Sequence, residues 1–122
     1  MVDWEKEAER IRRARERALG MGGPKRVERQ HSQGKLTVRE RVDLLLDPGT
    51  FIEYGMLATF FGLSPEDEKF AAADGVVTGF GKIDGRLVCV VAEDFTVQGG
   101  SLGNSHFAKK IRIIKRVAQD KV

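Results

Sequence analysis

Cysteine, metal ligands and long apolar runs are scarce in this sequence, and each absence excludes a class of protein. Cys89 is the only cysteine, so no disulfide can form within the chain and a reducing compartment is expected. No apolar run approaches the roughly 18 residues of a membrane-spanning helix. The N-terminus has no apolar signal-peptide segment, and no metal-ligand spacing occurs. The sequence therefore predicts a cytoplasmic protein without metal or membrane contact.

The sequence also lacks a large excess of positive or negative charge. The chain has 21 Lys and Arg against 18 Asp and Glu, which gives a net charge of +3 and a pI near 9.2. Its aromatic residues do not alternate with basic ones, as a base-stacking surface would require. The mild charge by itself suits an anionic small ligand, such as a phosphorylated cofactor, as well as it suits nucleic acid.

The first third of the chain has the patterns of helices. Residues 4–19 combine a thin apolar stripe with Glu and Arg at helical spacing, and a second, weaker pattern covers residues 24–33. Residues 37–46 begin with Thr37 and have Glu40 three positions later, which is the capping-box spacing. The sequence predicts three helices, followed by a short strand near residue 51.

A β-hairpin is the clearest local structure. Two alternating segments, 76–83 and 86–92, flank the Asp-Gly pair at 84–85, which favours a two-residue type I′ turn. That turn places Phe80 opposite Cys89. The second strand is apolar on both faces, so we expect it to be buried, with Cys89 an inert thiol in the core.

The loop at residues 95–103 has the most functional character. It joins a strand to a helix and contains three glycines, which let the backbone approach a ligand and point N–H groups at an anion or a developing oxyanion. Glycines also occur in such loops for steric reasons alone. A ligand-binding role and a purely structural role for this loop therefore both stay open. The helix at 105–121 is predicted to bury an apolar face formed by Phe107, Ala108, Ile111, Ile114 and Ala118.

No catalytic side-chain constellation accompanies this loop. His31 and His106 are far apart in sequence, and a structural or surface role is expected for each. Glu93 and Asp94 follow a strand, where acidic residues usually cap or turn the chain. The basic face of the last helix is expected to be solvated, or alternatively to hold the phosphates of a nucleotide-like ligand.

Four segments together resemble one family, the carboxyltransferase (beta-type) subunits of biotin-dependent acyl-CoA carboxylases. They are GKLTVRER at 34–41, LLLDPGTF at 44–51, DGVVTG at 74–79 and DFTVQGGS at 94–101. The resemblance covers the chain from about residue 23 to its end. Four motifs in the family's order and spacing make it specific.

The resemblance implies a fold class. Members have an α/β crotonase-like (ClpP/crotonase) fold, of which this chain has the N-terminal portion: a helical lead-in, a β-hairpin, a Gly-rich loop and a helix. The implied division is a helical N-terminal extension at 1–36 and a partial carboxyltransferase N-domain at 37–122. Family members are hexameric, so a homo-oligomer is expected.

The resemblance also implies a reaction, the transfer of a carboxyl group from carboxybiotin to an acyl-CoA such as acetyl-, propionyl- or methylcrotonyl-CoA. Carboxybiotin comes from a separate carrier domain, so no covalently bound cofactor is expected, and the partners are the biotin carrier and biotin carboxylase components. Backbone amides stabilise the enolate oxygen, which agrees with the lack of a side-chain nucleophile. The family's later DSGGAR-like loop does not occur in this sequence, so we expect the chain alone to be inactive.

The candidate site residues follow from the same motifs. Gly99 and Gly100 match the family's Gly-Gly loop and would lie near the acyl-CoA, and Lys109 and Arg112 are candidates for contacts with CoA phosphates. The substrate-binding set is Phe95, Thr96, Val97, Gln98, Gly99, Gly100 and Ser101, with no catalytic side chain and no metal ligand.

Two other functions remain open from the sequence. One is a stand-alone interaction module that docks on a full-length carboxylase subunit. The other is a small basic nucleic-acid-binding protein, which the mild charge and the lack of an aromatic platform disfavour.

Overall fold

Four helices and one three-stranded antiparallel sheet form the described part of the chain, residues 1–59, 72–100 and 104–122 of a computed structural model. The helices are α1 (Trp4–Leu19), α2 (Pro24–Ser32), α3 (Val38–Leu45) and α4 (Asn104–Asp120). The strands are β1 (Ile52–Glu53), β2 (Val76–Ile83) and β3 (Arg86–Glu93), in the sheet order β1-β2-β3.

The three N-terminal helices lie where the sequence predicts them, because their end signals are local. Asp3 caps α1 by accepting a hydrogen bond from the Lys6 backbone N–H at 3.2 Å. The predicted capping box of α3 is present: Glu40 N–H donates to Thr37 Oγ1 at 3.3 Å, and Thr37 N–H donates to the Glu40 carboxylate at 3.1 Å. That last bond is the main reason that the pKa of Glu40 is lowered.

The hairpin of β2 and β3 has the predicted turn and register. Asp84 and Gly85 both have positive φ angles, 49° and 79°, as a type I′ turn requires, and Phe80 is paired with Cys89. Both turn amides donate to the carboxylate of Asp47, at 2.9 and 2.8 Å. The turn that follows α3 therefore holds the hairpin tip in place.

Helices cover both faces of the sheet. On one face, Val42 and Leu46 pack with Val90 in a small buried cluster. Gly81 makes this packing possible, since a Cβ at that position would lie 2.6 Å from Leu46 Cδ1. Gly79 allows β1 to lie close to β2, because a Cβ at that position would lie 2.2 Å from the Ile52 carbonyl oxygen. Helix α4 packs against the other face.

The predicted apolar face of α4 is wrong. Phe107, Ile111 and Ile114 are exposed, and Ala108 and Ala118 are exposed with them. The buried side of α4 instead consists of His106, Lys109 and Ile113. The reason is tertiary: polar backbone groups of a tight turn at Ala72–Gly75 lie beneath the helix, and only polar side chains can bond them.

The prediction that β3 is buried is also wrong. Val90 is buried, but Leu87 and Val91 are 48% and 41% exposed, and Cys89 is only partly buried. Within the described residues β3 pairs with β2 alone and forms the edge of the sheet. Desolvation still raises the pKa of the Cys89 thiol.

The boundary at residue 36 stays a prediction. In the structure the N-terminal helices contact the rest of the chain, since α1 packs on the turn at Ala72–Gly75 and the His31 Nε2 of α2 lies 2.7 Å from Glu40 Oε1 of α3. None of the helices in the described ranges is long and apolar enough to cross a membrane.

Candidate substrate-binding site

The predicted ligand loop at residues 95–103 contains a left-handed turn. Gln98, Gly99 and Gly100 have φ angles of 48°, 63° and 74°, a conformation that glycine adopts without strain and other residues rarely adopt. A Cβ on Gly99 would meet no described atom within 4 Å, so the backbone there faces open space. Ser101 and the rest of the loop to residue 103 lie outside the described residues.

Asp94 fixes the base of this loop. Its backbone N–H donates to the Gly75 carbonyl at 2.8 Å, which continues the hairpin by one pair. Its carboxylate then accepts from both the backbone N–H and the hydroxyl of Thr96, at 2.9 and 2.6 Å. Asp94 and Thr96 are both buried. The predicted turn-forming role of Asp94 is confirmed, and it holds the loop in one conformation.

The link between α1 and α2 packs directly on the loop. Gly22 N–H donates to the Thr96 hydroxyl at 3.0 Å, and the Arg26 guanidinium donates to the Thr96 carbonyl at 3.4 Å. The packing is so close that a Cβ on Gly22 would lie 1.9 Å from that carbonyl oxygen. The N-terminal helices are thus part of the site.

A basic cleft opens between α2 and the loop. Its volume is about 380 Å³, and its lining residues are Arg26, Arg29, Gln30, Gln33, Phe95, Thr96, Gln98 and Gly99. We call this set the basic cleft. The Phe95 ring is 64% exposed, and the Lys35 ammonium lies 6.0 Å from its centroid, the outer limit of a cation–π contact. The cleft combines positive charge, an exposed aromatic ring and open backbone.

The predicted substrate-binding residues divide into those that line the basic cleft and those that support the loop. Phe95, Gln98 and Gly99 line the cleft with exposed surface. Thr96 and Val97 are buried, so they hold the loop rather than offer a surface. Gly100 N–H donates back to the Val97 carbonyl at 2.9 Å, which closes the turn.

Lys109 and Arg112 do not line the basic cleft. The Lys109 ammonium is buried and donates to the carbonyls of Ala73, at 2.7 Å, and Val76. Burial lowers the pKa of Lys109 to about 8, against the opposing effect of nearby Glu53 and Asp74. This geometry disfavours a phosphate contact for Lys109. Arg112 is exposed on α4, and its phosphate contact stays a prediction.

Both histidines have structural contacts. His106 is fully buried, where its backbone N–H donates to the Asp74 carboxylate at 2.6 Å and its Nδ1 lies 2.8 Å from the Asp74 carbonyl oxygen. Its Nε2 has no hydrogen-bond partner among the described residues. His31 is on the surface, with its Nε2 2.7 Å from Glu40 Oε1. Asp74 is therefore an anchor for the start of α4.

Sequence reasoning missed Arg26 and Arg29. They are three residues apart and so share one side of α2. That spacing was available as a signal, but the packing of α2 on a loop about 70 residues later was not.

These features define the class of protein: an α/β domain with a candidate ligand site made of backbone at a strand-to-helix loop, with basic side chains beside it. The family of the Carboxyl transferase domain matches residues 29–122, and the chain belongs to that family.

The relatives found by sequence include propionyl-CoA carboxylase beta chains. The mitochondrial chain of Sus scrofa is 50% identical over 110 residues, which are 87% of this chain and 20% of that one. The chain of Roseobacter denitrificans is 50% identical over 101 residues, 81% of this chain and 20% of that one. The methylmalonyl-CoA decarboxylase subunit alpha of Veillonella parvula is 49% identical over 96 residues, 75% of this chain and 18% of that one. This chain therefore spans about a fifth of the length of these relatives.

Solved structures give the same result. A hexameric transcarboxylase 12S with methylmalonyl-coenzyme A and methylmalonic acid bound matches with a TM-score of 0.81 and 41% identity, covering 96% of this chain and 23% of that one. A single-chain, multi-domain long-chain acyl-CoA carboxylase matches with a TM-score of 0.83 and 31% identity, covering 95% and 13%. The predicted crotonase-like fold, N-terminal portion, is confirmed. Neither alternative function receives support.

Proposed function

We propose that this chain forms the acyl-CoA-binding part of a carboxyltransferase subunit of a biotin-dependent acyl-CoA carboxylase. The observation that carries the proposal is the basic cleft: open left-handed backbone at Gly99 directly beside Arg26 and Arg29. An acyl-CoA has the complementary parts, since its nucleotide end carries several phosphate charges and its thioester carbonyl becomes an oxyanion when the α-carbon is deprotonated.

Each part of the cleft has a role in this proposal. The guanidinium groups of Arg26 and Arg29 bind phosphate oxygens, for which their fork of donors is suited. The backbone N–H of Gly99 faces the acyl end, where a fixed amide dipole stabilises developing negative charge without reorganisation, while the Gly100 N–H keeps the turn closed on the Val97 carbonyl. Ser101 completes the set, and exposed Phe95 offers an apolar surface.

Substrate and partners extend the proposal. Propionyl-CoA and methylmalonyl-CoA are the first ligands to test, because the sequence relatives carry those names. Carboxybiotin on a separate carrier supplies the carboxyl group, a biotin carboxylase component reloads the carrier, and the full subunit forms a hexamer in the cytoplasm. We expect this chain, a fifth of its relatives' length, to bind acyl-CoA without completing turnover.

The test is a calorimetric titration of the chain with propionyl-CoA. Arg29→Gln should weaken binding about tenfold, since a charge-assisted hydrogen bond contributes about 1.5 kcal/mol and about 1.4 kcal/mol is a factor of ten in Kd.

Lys25→Gln is the matched control. Lys25 is exposed on the same helix but does not line the cleft, so its loss removes one positive charge without removing a contact. It should leave Kd within about twofold. Equal losses for the two variants would reduce the effect to general charge attraction and contradict the cleft.

A further inference from the structure

The tight turn at Ala72–Gly75 leads into β2, and its backbone is strained. Ala73, Asp74 and Gly75 have φ angles of 49°, 47° and 72°, and all three residues are buried. Glycine adopts this left-handed conformation freely, whereas alanine rarely does. Such a conformation persists only where surrounding contacts fix it, so the contacts of this turn decide whether it keeps its shape.

Lys109 reaches the turn from α4. Its ammonium donates to the carbonyl of Ala73, at 2.7 Å, and to the carbonyl of Val76, so one side chain bridges the two ends of the left-handed segment. Ala73 and Val76 are 2% and 1% exposed. A buried carbonyl that loses its donor costs free energy. Removal of the ammonium would therefore favour a relaxed turn.

The carboxylates near Lys109 are engaged with other groups. Glu53 and Asp74 both attract the ammonium. The Glu53 carboxylate accepts from the Arg39 guanidinium at 2.7 and 3.0 Å, and the Asp74 carboxylate accepts from the His106 backbone N–H at 2.6 Å. The hydrogen bonds that hold Lys109 in place are those to the backbone of the turn.

The same turn anchors the chain on both sides of the Gly-rich loop at 95–103. Just before the loop, the Asp94 N–H donates to the Gly75 carbonyl at 2.8 Å. Just after it, in the first turn of α4, His106 Nδ1 lies 2.8 Å from the Asp74 carbonyl oxygen. That oxygen can only accept, so Nδ1 carries the proton and donates. A change in the turn therefore moves both ends of the loop.

Val97 connects the turn to the open backbone of the loop. A Cβ on Gly75 would lie 3.6 Å from the Val97 carbonyl oxygen, so the two backbones are in contact. That same oxygen accepts from the Gly100 N–H at 2.9 Å. Gly99 lies between these two residues, and its orientation depends on where the Val97 carbonyl is held.

We propose that Lys109 is a positioning residue of the Gly-rich loop: it holds the turn at Ala72–Gly75 in its left-handed form, and the turn sets the direction of the Gly99 N–H. The consequence for acyl-CoA binding rests on the proposed function, whereas the effect on the loop does not. Lys109 touches no ligand in this role.

Hydrogen exchange in the ligand-free chain tests the effect on the loop. In Lys109→Met, the Asp94 amide should exchange about tenfold faster relative to the Asp47 amide, because local opening exposes only the amides near it. The Asp47 N–H is a suitable reference, since it donates to the Lys82 carbonyl at 2.7 Å at the far end of the hairpin. A substitution that only lowers global stability accelerates both amides equally, and an unchanged ratio would overturn the proposal.

A second substitution should rescue the first. Ala73→Gly in the Lys109→Met chain lets the turn stay left-handed without the ammonium, because glycine adopts positive φ without strain. It should restore the ratio of exchange rates. Ala72→Gly is the matched control, since Ala72 is buried beside it but is not among the residues with positive φ. Rescue by both substitutions, or by neither, would contradict the role of the left-handed turn.

Calorimetry with propionyl-CoA tests the consequence for binding. Lys109→Met should weaken binding about tenfold, since the apparent affinity falls with the fraction of chains whose loop has the competent conformation. Lys115→Met removes the same charge from an exposed position of α4. Val42→Ala removes part of the buried cluster on the other face of the sheet and so lowers stability without touching the loop. Both should leave Kd within about twofold.

The outcomes separate this proposal from the proposed function. Equal weakening by Lys109→Met and Val42→Ala, with circular dichroism showing both folded, would reduce the effect to stability and overturn the role of Lys109. Equal weakening by Lys109→Met and Lys115→Met would reduce it to charge and overturn it as well. A native chain without affinity for propionyl-CoA would contradict the proposed function alone, because the exchange ratio and its rescue are measured without ligand.

Discussion

The basic cleft and β3 both have backbone without a strand partner among the described residues, yet they differ in what surrounds that backbone. At the cleft, the chain turns left-handed over a buried polar support of Asp94 and Thr96, with arginines beside it. Along β3, the backbone groups are regularly spaced and flanked by Leu87 and Val91. Irregular backbone with arginines beside it suits a small anion, whereas regular backbone between apolar side chains lacks the charge to hold one.

Gly22→Ala should have the largest effect of the substitutions considered. It should disrupt the basic cleft and leave β3 unchanged. The added Cβ would lie 1.9 Å from the Thr96 carbonyl oxygen, so the link between α1 and α2 must move away from the loop. We expect a loss of about 3 kcal/mol in the free energy of unfolding, the upper range for overpacking. Propionyl-CoA binding should fall more than tenfold, measured by calorimetry.

Gly20→Ala is the control for that substitution. Gly20 has φ of −73°, and its Cβ would come no closer than 3.4 Å to a described atom, so the change should be tolerated. A Gly22→Ala chain that binds as the native chain does would show that the N-terminal helices are not part of the site.

The pH dependence of the free energy of unfolding should isolate the contribution of the buried Lys109 ammonium. Lys109 has a folded pKa of about 8 and an unfolded pKa of about 10.4. Between these values the unfolded chain binds more protons, so stability from this group rises with pH. Relative to Lys109→Met, the native chain should gain roughly 2 to 3 kcal/mol in the free energy of unfolding between pH 7 and 10.

Chemical denaturation at several pH values measures this difference, and the substitution cancels every other titrating group to first order. A constant difference between the two chains would contradict burial of the ammonium.

Local signals explain how much the sequence could predict. The Asp84-Gly85 pair defines its own turn and hence the register of the hairpin, and Thr37 with Glu40 defines the start of α3. The left-handed turn of the Gly-rich loop was also predictable, because Gly99 and Gly100 are residues that adopt such a turn without strain.

The remaining features depend on contacts distant in sequence. The hydrophobic pattern predicts Phe107 on the buried face of α4. The carbonyls of Ala73 and Val76 beneath the helix require a hydrogen-bond donor, however, and Lys109 supplies it. Arg26 joins the site because α2 packs on Thr96, 70 residues away. Neither contact has a local pattern that periodicity or capping rules detect.

Nuclear magnetic resonance with propionyl-CoA tests the central claim, binding at the basic cleft, most directly. In a ¹⁵N-labelled chain of 13.6 kDa, the account predicts the largest amide shift changes at Arg29, Gly99 and Gly100, with none along Leu87 to Val91. Saturating ligand that shifts the β3 amides and leaves Gly99 and Gly100 in place would contradict it.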